Sequence, residues 1–224
     1  MAGKLAKEQF NEIIALMDNK QWVEAESLLS GYRDISDSTI DYLFGCIYNA
    51  WDNPNKDKEK AKKYFGRAIE SKEPIEAAFV LLSNIERNRS HAIRILQRGL
   101  DIFPESESLY FHLLTQTSPA DSETIYLEAK GKGVISDRIK LVMAETHFGL
   151  GEYRSTLDLL EKIKGETIEE TLILECIRGF SFLELEDFNK SKEFFAHVIE
   201  EDLNHKVNYV AHLGLILNLL NKAT

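Results

Sequence analysis

The sequence predicts an all-α protein, an α-solenoid of about six antiparallel helix hairpins plus a C-terminal capping helix. Three observations predict it. Apolar residues recur at helical spacing, interrupted by short breaks, along nearly the whole length. The 224 residues include 12 glycines and only 4 prolines, and the prolines (54, 74, 104 and 119) all fall at breaks, where a missing N–H does no harm. A short pattern also follows three of the breaks. Trp22, Tyr153 and Phe188 are each followed three residues later by a small residue (Ala25, Thr156, Ser191) and seven residues later by a large apolar one (Leu29, Leu160, Phe195). A single hairpin cannot bury both its apolar faces, so neighbouring hairpins must stack on it.

The first hairpin spans about 5–35, with Phe10, Ile13, Leu16 and Met17 ahead of a turn at Lys20-Gln21. Ser36, Asp37 and Ser38 are cap candidates for the second, about 39–72, which carries a longer loop from Trp51 to Asp57. The third runs about 75–103, as Ile75–Ile85 and Ala92–Leu100, and Pro104 closes it. The fourth, about 106–131, is the least regular. Leu109, Tyr110, Leu113 and Leu114 form its stripe, Ser118-Pro119 opens its second helix, and Gly131-Lys132-Gly133 is a candidate bend in what otherwise reads as one domain over 1–224.

The fifth, about 137–164, is the clearest. Ser136 can accept a first-turn N–H as N-cap, and Ile139, Leu141, Val142, Met143 and Phe148 follow as a stripe. Gly149 and Gly151 can take the positive φ that stops a helix, and Tyr153, Leu157, Leu159, Leu160 and Ile163 form the return stripe. The sixth covers about 168–202 and turns at Asp187-Phe188. The closing helix, Asn204 to Leu220, should present a polar outer face, for which Lys206, Asn208, His212, Asn218 and Asn221 are available. Leu213, Leu215, Ile216, Leu217, Leu219 and Leu220 leave little of it polar. Either a partner or second copy buries this helix, or the array continues.

Several residues together resemble the tetratricopeptide repeat family. They are Gly45 with Tyr48, Gly179 with Phe182, Gly214 with Leu217, Gly151 with Tyr153, then Ala25, Ala61, Ala92 and Pro104, with Tyr153 and Phe188 one repeat length apart. Lys20 and Glu186 replace the turn glycine, and Arg178 stands at an expected apolar site. The second hairpin is similar to the Sel1-like subfamily through Leu43-Phe44-Gly45, Tyr48, Asp57, Lys60-Ala61, Tyr64 and Ala68, with Trp51 and Asn53 in place of the loop glycines.

The resemblance implies a right-handed superhelix whose first helices line a concave groove for partner segments. That groove would present Phe10, Ile14, Tyr42, Cys46, Ala77, Leu81, Phe111, Thr115, Leu141, Glu145, Cys176 and Phe180. Such a surface suits an amphipathic helix or an extended apolar peptide; the plainer reading is that several of these residues pack between hairpins. The family's clamp for a C-terminal carboxylate needs Lys, Asn and Arg on these helices. Phe10 and Ile14 stand at the early positions, so that kind of binding is not expected.

The 27 basic and 37 acidic residues give a net charge of −10, which disfavours nucleic acid and anionic membrane surfaces. No run approaches the roughly 18 apolar residues of a membrane span, and the first residues lack a secretory pattern. A cytoplasmic location is expected, with Cys46 and Cys176 as reduced, packed thiols. Arg87, Arg89, His91, Arg94 and Arg98 form the densest basic cluster. It is a candidate anion, acidic-partner or RNA patch, or simply a solvated face. The lysines from 56 to 63 alternate with acids and read as an exposed loop.

The six histidines show no metal-binding spacing, and no nucleophile elbow, phosphate loop or Cys-x-x-Cys occurs. The carboxylates are expected on helix surfaces. No cofactor, metal or catalytic set is therefore predicted. The predicted role is a non-catalytic adaptor or scaffold, the alternative being a subunit that self-associates through Leu213, Ile216, Leu217 and Leu220.

Overall fold

A computed structural model describes residues 5–33, 35, 37–165, 167–202 and 207–222, with Asn208, Tyr209 and Lys222 described by backbone alone. Ser36 and residues 204–206, which include the expected start of the closing helix, lie outside the described residues. All regular secondary structure among the described residues is helical. Thirteen helices follow in order: α1 (Lys7–Asp18), α2 (Trp22–Ser30), α3 (Ser38–Asn49), α4 (Lys58–Glu70), α5 (Glu76–Ile85), α6 (Arg89–Ile102), α7 (Glu107–Gln116), α8 (Pro119–Gly131), α9 (Asp137–Gly149), α10 (Tyr153–Leu160), α11 (Ile168–Glu184), α12 (Phe188–Glu201) and α13 (Asn208–Lys222). Thirteen is the number of helices expected, and most of their bounds fall within a few residues of the expected ones.

The chain divides into two compact units, Met1–Gln116 and Thr117–Thr224. The helices α7 and α8, paired by the sequence reading as a fourth hairpin, fall in different units. Gly131–Gly133 lies inside the second unit, where Gly133 has φ +75° and Val134 N–H donates back to the Ala129 carbonyl at 2.9 Å. In both units each helix packs on the next, and α5 also meets α7, as α11 meets α13.

The three-part pattern read from sequence lands in one structural frame. Trp22, Tyr153 and Phe188 are the first residues of α2, α10 and α12. Ala25, Thr156, Ser191, Leu29, Leu160 and Phe195 have no exposed surface. Two residues before each aromatic the backbone turns left-handed: φ is 60° at Lys20, 78° at Gly151 and 61° at Glu186. Gly149 closes α9 without a positive φ. Two side-chain-bearing residues thus hold a conformation that costs an L-residue on the order of 1 kcal/mol. Glu186→Gly is expected to stabilise the protein by about 0.5–1 kcal/mol in a denaturant titration; an unchanged or lower midpoint would show that Glu186 makes up for its strain.

In the first unit Phe44, Phe65, Phe79, Leu96, Leu109 and Tyr110 are fully buried. A Cβ at Gly45 would stand 2.5 Å from the Phe65 ring, so glycine there lets the ring lie on the α3 backbone. The α3–α4 loop manages without its glycines. Asn53 is buried, donates from Nδ2 to the Ile47 carbonyl at 2.7 Å, and accepts the Asn55 N–H at 2.8 Å. Asp57 N–H donates to the Tyr48 carbonyl at 3.0 Å, and its carboxylate caps α4 through Glu59 and Lys60 N–H.

In the second unit Phe195 of α12 packs against backbone on both sides. A Cβ at Gly179 of α11 would lie 2.7 Å from the ring, and one at Gly214 of α13 would collide with its far edge. Phe180 meets it edge-on, with centroids 4.8 Å apart. Arg178, the apparent misfit, reaches from α11 to the end of α10, where Nη2 donates to the Leu160 and Ile163 carbonyls at 2.6 and 2.8 Å. Leu160 is the last residue of α10, its carbonyl also accepts the Ile163 N–H at 3.1 Å, and Ile163 lies in the loop that follows, so the arginine ties the end of α10 and that loop to α11.

The closing helix corrects the sequence reading. Asn218, expected on the polar outer face, is 3% exposed and donates to the Phe188 carbonyl at 2.9 Å. His212 and Asn221 are exposed as expected, and Leu213, Ile216, Leu217, Leu219 and Leu220 are exposed as well, whereas Leu215 is half-buried.

Candidate functional site

Among the described residues, a concavity lies within the second unit, between α9 and α11. Local sequence fixes both walls. Ser136 accepts the Ile139 N–H at 3.3 Å and starts α9. Thr167 and Glu170 cap α11 reciprocally, at 3.2 and 3.1 Å, as a capping box. Between them Gly165 lies against the first turn of α11, where a Cβ would stand 2.7 Å from the Glu170 carbonyl carbon. Only glycine lets the loop approach so closely.

The resulting cleft holds about 590 Å³. Leu141 and Glu145 of α9, Ile163 of the loop, and Ile173, Leu174 and Ile177 of α11 line it, with Asp137, Arg138, Lys164 and Glu170 also contributing. Its floor is continuous with a buried cluster of Ala144, Leu160, Ile163 and Leu174, on which Leu141 and Ile177 pack. Ile173 remains 45% exposed. Glu145 is exposed at the rim of the cleft, where partial desolvation raises its carboxyl above its ordinary range, and its side chain has no hydrogen bond or ion pair with any described residue. The cleft therefore offers aliphatic surface beside a carboxylate that lacks a cation.

Of the sequence-predicted groove residues, Leu141 and Glu145 meet in this cleft. Phe180 is half-buried and packs on Phe195, and Cys176 is buried in the same cluster, so these two are packing residues. In the first unit Phe10, Ile14, Tyr42, Leu81 and Phe111 are half-buried and Thr115 is exposed. Tyr42 leans on Phe65 with centroids 6.1 Å apart, and Phe111 meets His112 edge-on at 5.2 Å. The Thr115 hydroxyl donates to the His112 carbonyl of its own helix.

Burial pushes the Cys46 and Cys176 thiols to about 11, which leaves little thiolate at neutral pH. Ile163, Ile173, Leu174 and Ile177 are site residues that the sequence reading misses. Their signal is the apolar spacing 173, 174, 177 on α11, which brings a wider stripe to α9 than one groove position per turn.

In the basic cluster Arg87, Arg94 and Arg98 are exposed, while Arg89 Nε donates to the Gln116 carbonyl at 2.6 Å. Glu86 sits among them and accepts from Arg87 and Asn88 N–H, with Lys62 Nζ at 3.4 Å and His91 Nδ1 at 3.2 Å. The Asn88 N–H above all, then Lys62 and the Arg87 N–H, hold its carboxyl below the usual range. A carboxylate inside the cluster weakens it as an anion site.

Two carboxylates depart from the expected surface placement. Asp41 is 6% exposed and pairs with Arg67 at 3.2 Å, and Asp202 is 5% exposed and accepts the Val207 N–H. Both have structural partners. Among the described residues no group of three His, Cys, Asp or Glu is placed to hold a metal ion, and no helix is long and apolar enough to cross a membrane.

The class these features define is an all-helical protein of sequentially packed helices with an aliphatic cleft. No protein-family model matches the chain, and no curated protein matches it.

Proposed function

We propose that the chain is a non-catalytic adaptor of the tetratricopeptide type, with a Sel1-like second hairpin, whose hairpins stack as a right-handed solenoid. It holds a segment of a protein partner in the cleft between α9 and α11. The observation that carries this reading is an aliphatic floor and an unpaired carboxylate in one cleft. Covering the floor gains about 25 cal/mol per Å² of apolar surface, and a cation beside Glu145 relieves its desolvation. An amphipathic helix or extended apolar peptide with one Lys or Arg facing Glu145 does both.

The repeat reading is supported by the shared frame of Trp22, Tyr153 and Phe188 and by the left-handed turn two residues before each. The two free, high-pKa thiols fit a reducing, cytosolic setting.

The test is affinity capture from a native lysate with wild type, Ile173→Glu and Glu145→Lys, read by mass spectrometry, with circular dichroism as the folding control. A partner held by the wild type and reduced at least about tenfold by both variants supports the reading, since each removes one of its two components. Capture at wild-type levels by both variants would take the function away from this cleft.

A further inference from the structure

The outward face of α13 is inverted in polarity. Asn218 points in, Gly214 lies against Phe195, and Ala211 is fully buried. Leu213, Ile216, Leu217, Leu219 and Leu220 are 53, 55, 37, 67 and 60% exposed. No Asp or Glu follows Asp202 in the sequence, and the only Lys or Arg in α13 is Lys222 at its C-terminal end. Before Lys222, the exposed His212 is the one ionisable side chain that α13 offers among its described side chains, so the helix supplies few of the charges by which a surface selects one partner over another.

We propose that this face pairs with the same face of a second copy, as two antiparallel α13 helices about a twofold axis. The spacing argues for a copy of itself. Leu213, Ile216, Leu217 and Leu220 sit at i, i+3, i+4 and i+7, one stripe of a helix. The set is symmetric about the midpoint between Ile216 and Leu217. Reversing the helix places Leu213 on Leu220 and Ile216 on Leu217. A twofold interface requires such a self-matching surface.

The extent of the patch also fits. Its five aliphatic side chains expose on the order of 500 Å² per copy, so a pair covers roughly 1,000 Å², the lower bound for a specific interface. Leu219 flanks the stripe and widens it. This surface is separate from the α9–α11 cleft, and its test does not depend on what that cleft binds.

The experiment is sedimentation of the full chain from low to high micromolar concentration, for wild type, Leu213→Glu, Leu220→Lys and an equimolar mixture of the two variants. Both positions are exposed, so both variants should fold, and circular dichroism checks this. Wild type is expected to reach twice the 25.6 kDa chain mass. Each variant alone is expected to dissociate at least about a hundredfold more readily, because each buries two unpaired charges per pair. The mixture is expected to recover the dimer, since antiparallel pairing sets the introduced carboxylate of one variant against the introduced ammonium of the other.

A wild type that stays monomeric throughout, or a variant that dimerises like wild type, overturns the proposal. A mixture that stays monomeric overturns the antiparallel twofold, because only that arrangement brings positions 213 and 220 together.

Discussion

Phe195→Ala is expected to destabilise the protein by about 3–5 kcal/mol. Phe195 has no exposed surface and contacts three helices: its own, α11 at Gly179 and Phe180, and α13 at Gly214. The cavity left by its loss cannot close easily, because two of its walls are main chain rather than side chains that could rotate inward. Surface transfer and cavity costs therefore both apply. The complementary change, Gly214→Ala, adds a methyl where the ring already lies and should cost about 1–3 kcal/mol by overpacking. Urea titrations monitored by helicity measure both. A loss below about 1 kcal/mol for Phe195→Ala would mean the three helices do not depend on the ring.

Arg178→Met should cost about 2–3 kcal/mol. Methionine keeps most of the side chain's length and apolar stem, so the loss isolates the hydrogen bonds to the Leu160 and Ile163 carbonyls. Both residues are buried, and α10 is only eight residues long, so it has few internal bonds to offset fraying at its end. Arg178→Lys should recover part of the loss, because a single ammonium cannot reproduce the planar fork across two acceptors. Ile163 also lines the cleft, so the methionine variant should weaken partner capture as well. Equal stability of Met and wild type in the same titration would remove this tie.

The helical class, helix order and turn frame were legible because they rest on local spacing. The pattern at Trp22, Tyr153 and Phe188 marks helix starts, and helix starts depend on residues a few positions apart. Where the residue departs from that pattern, at Lys20 and Glu186, the backbone conformation persists, closed at both turns by the same pair of backbone hydrogen bonds, from Lys20 and Gln21 N–H to the Met17 and Leu16 carbonyls and from Glu186 and Asp187 N–H to those of Leu183 and Phe182. What stayed hidden was non-local. Arg178 looks like a defect in sequence because its partner carbonyls are 15 and 18 residues away. The rule that polar residues face water places Asn218 outward, whereas its amide donates to the Phe188 carbonyl in the first turn of α12. Half of the cleft was visible through Leu141 and Glu145. The other half depends on Gly165 allowing the loop onto α11, which helical periodicity does not encode.

The Gly179–Phe195–Gly214 contact also bears on motion. A phenyl ring can turn over only when the space around its edge opens, and here that edge faces two helix backbones. Tightly packed interiors yield such space only through concerted displacement of whole elements. Each half-turn of the Phe195 ring therefore records a moment when α11 and α13 have parted, and the flip rate of its ring protons times the breathing of this end of the second unit.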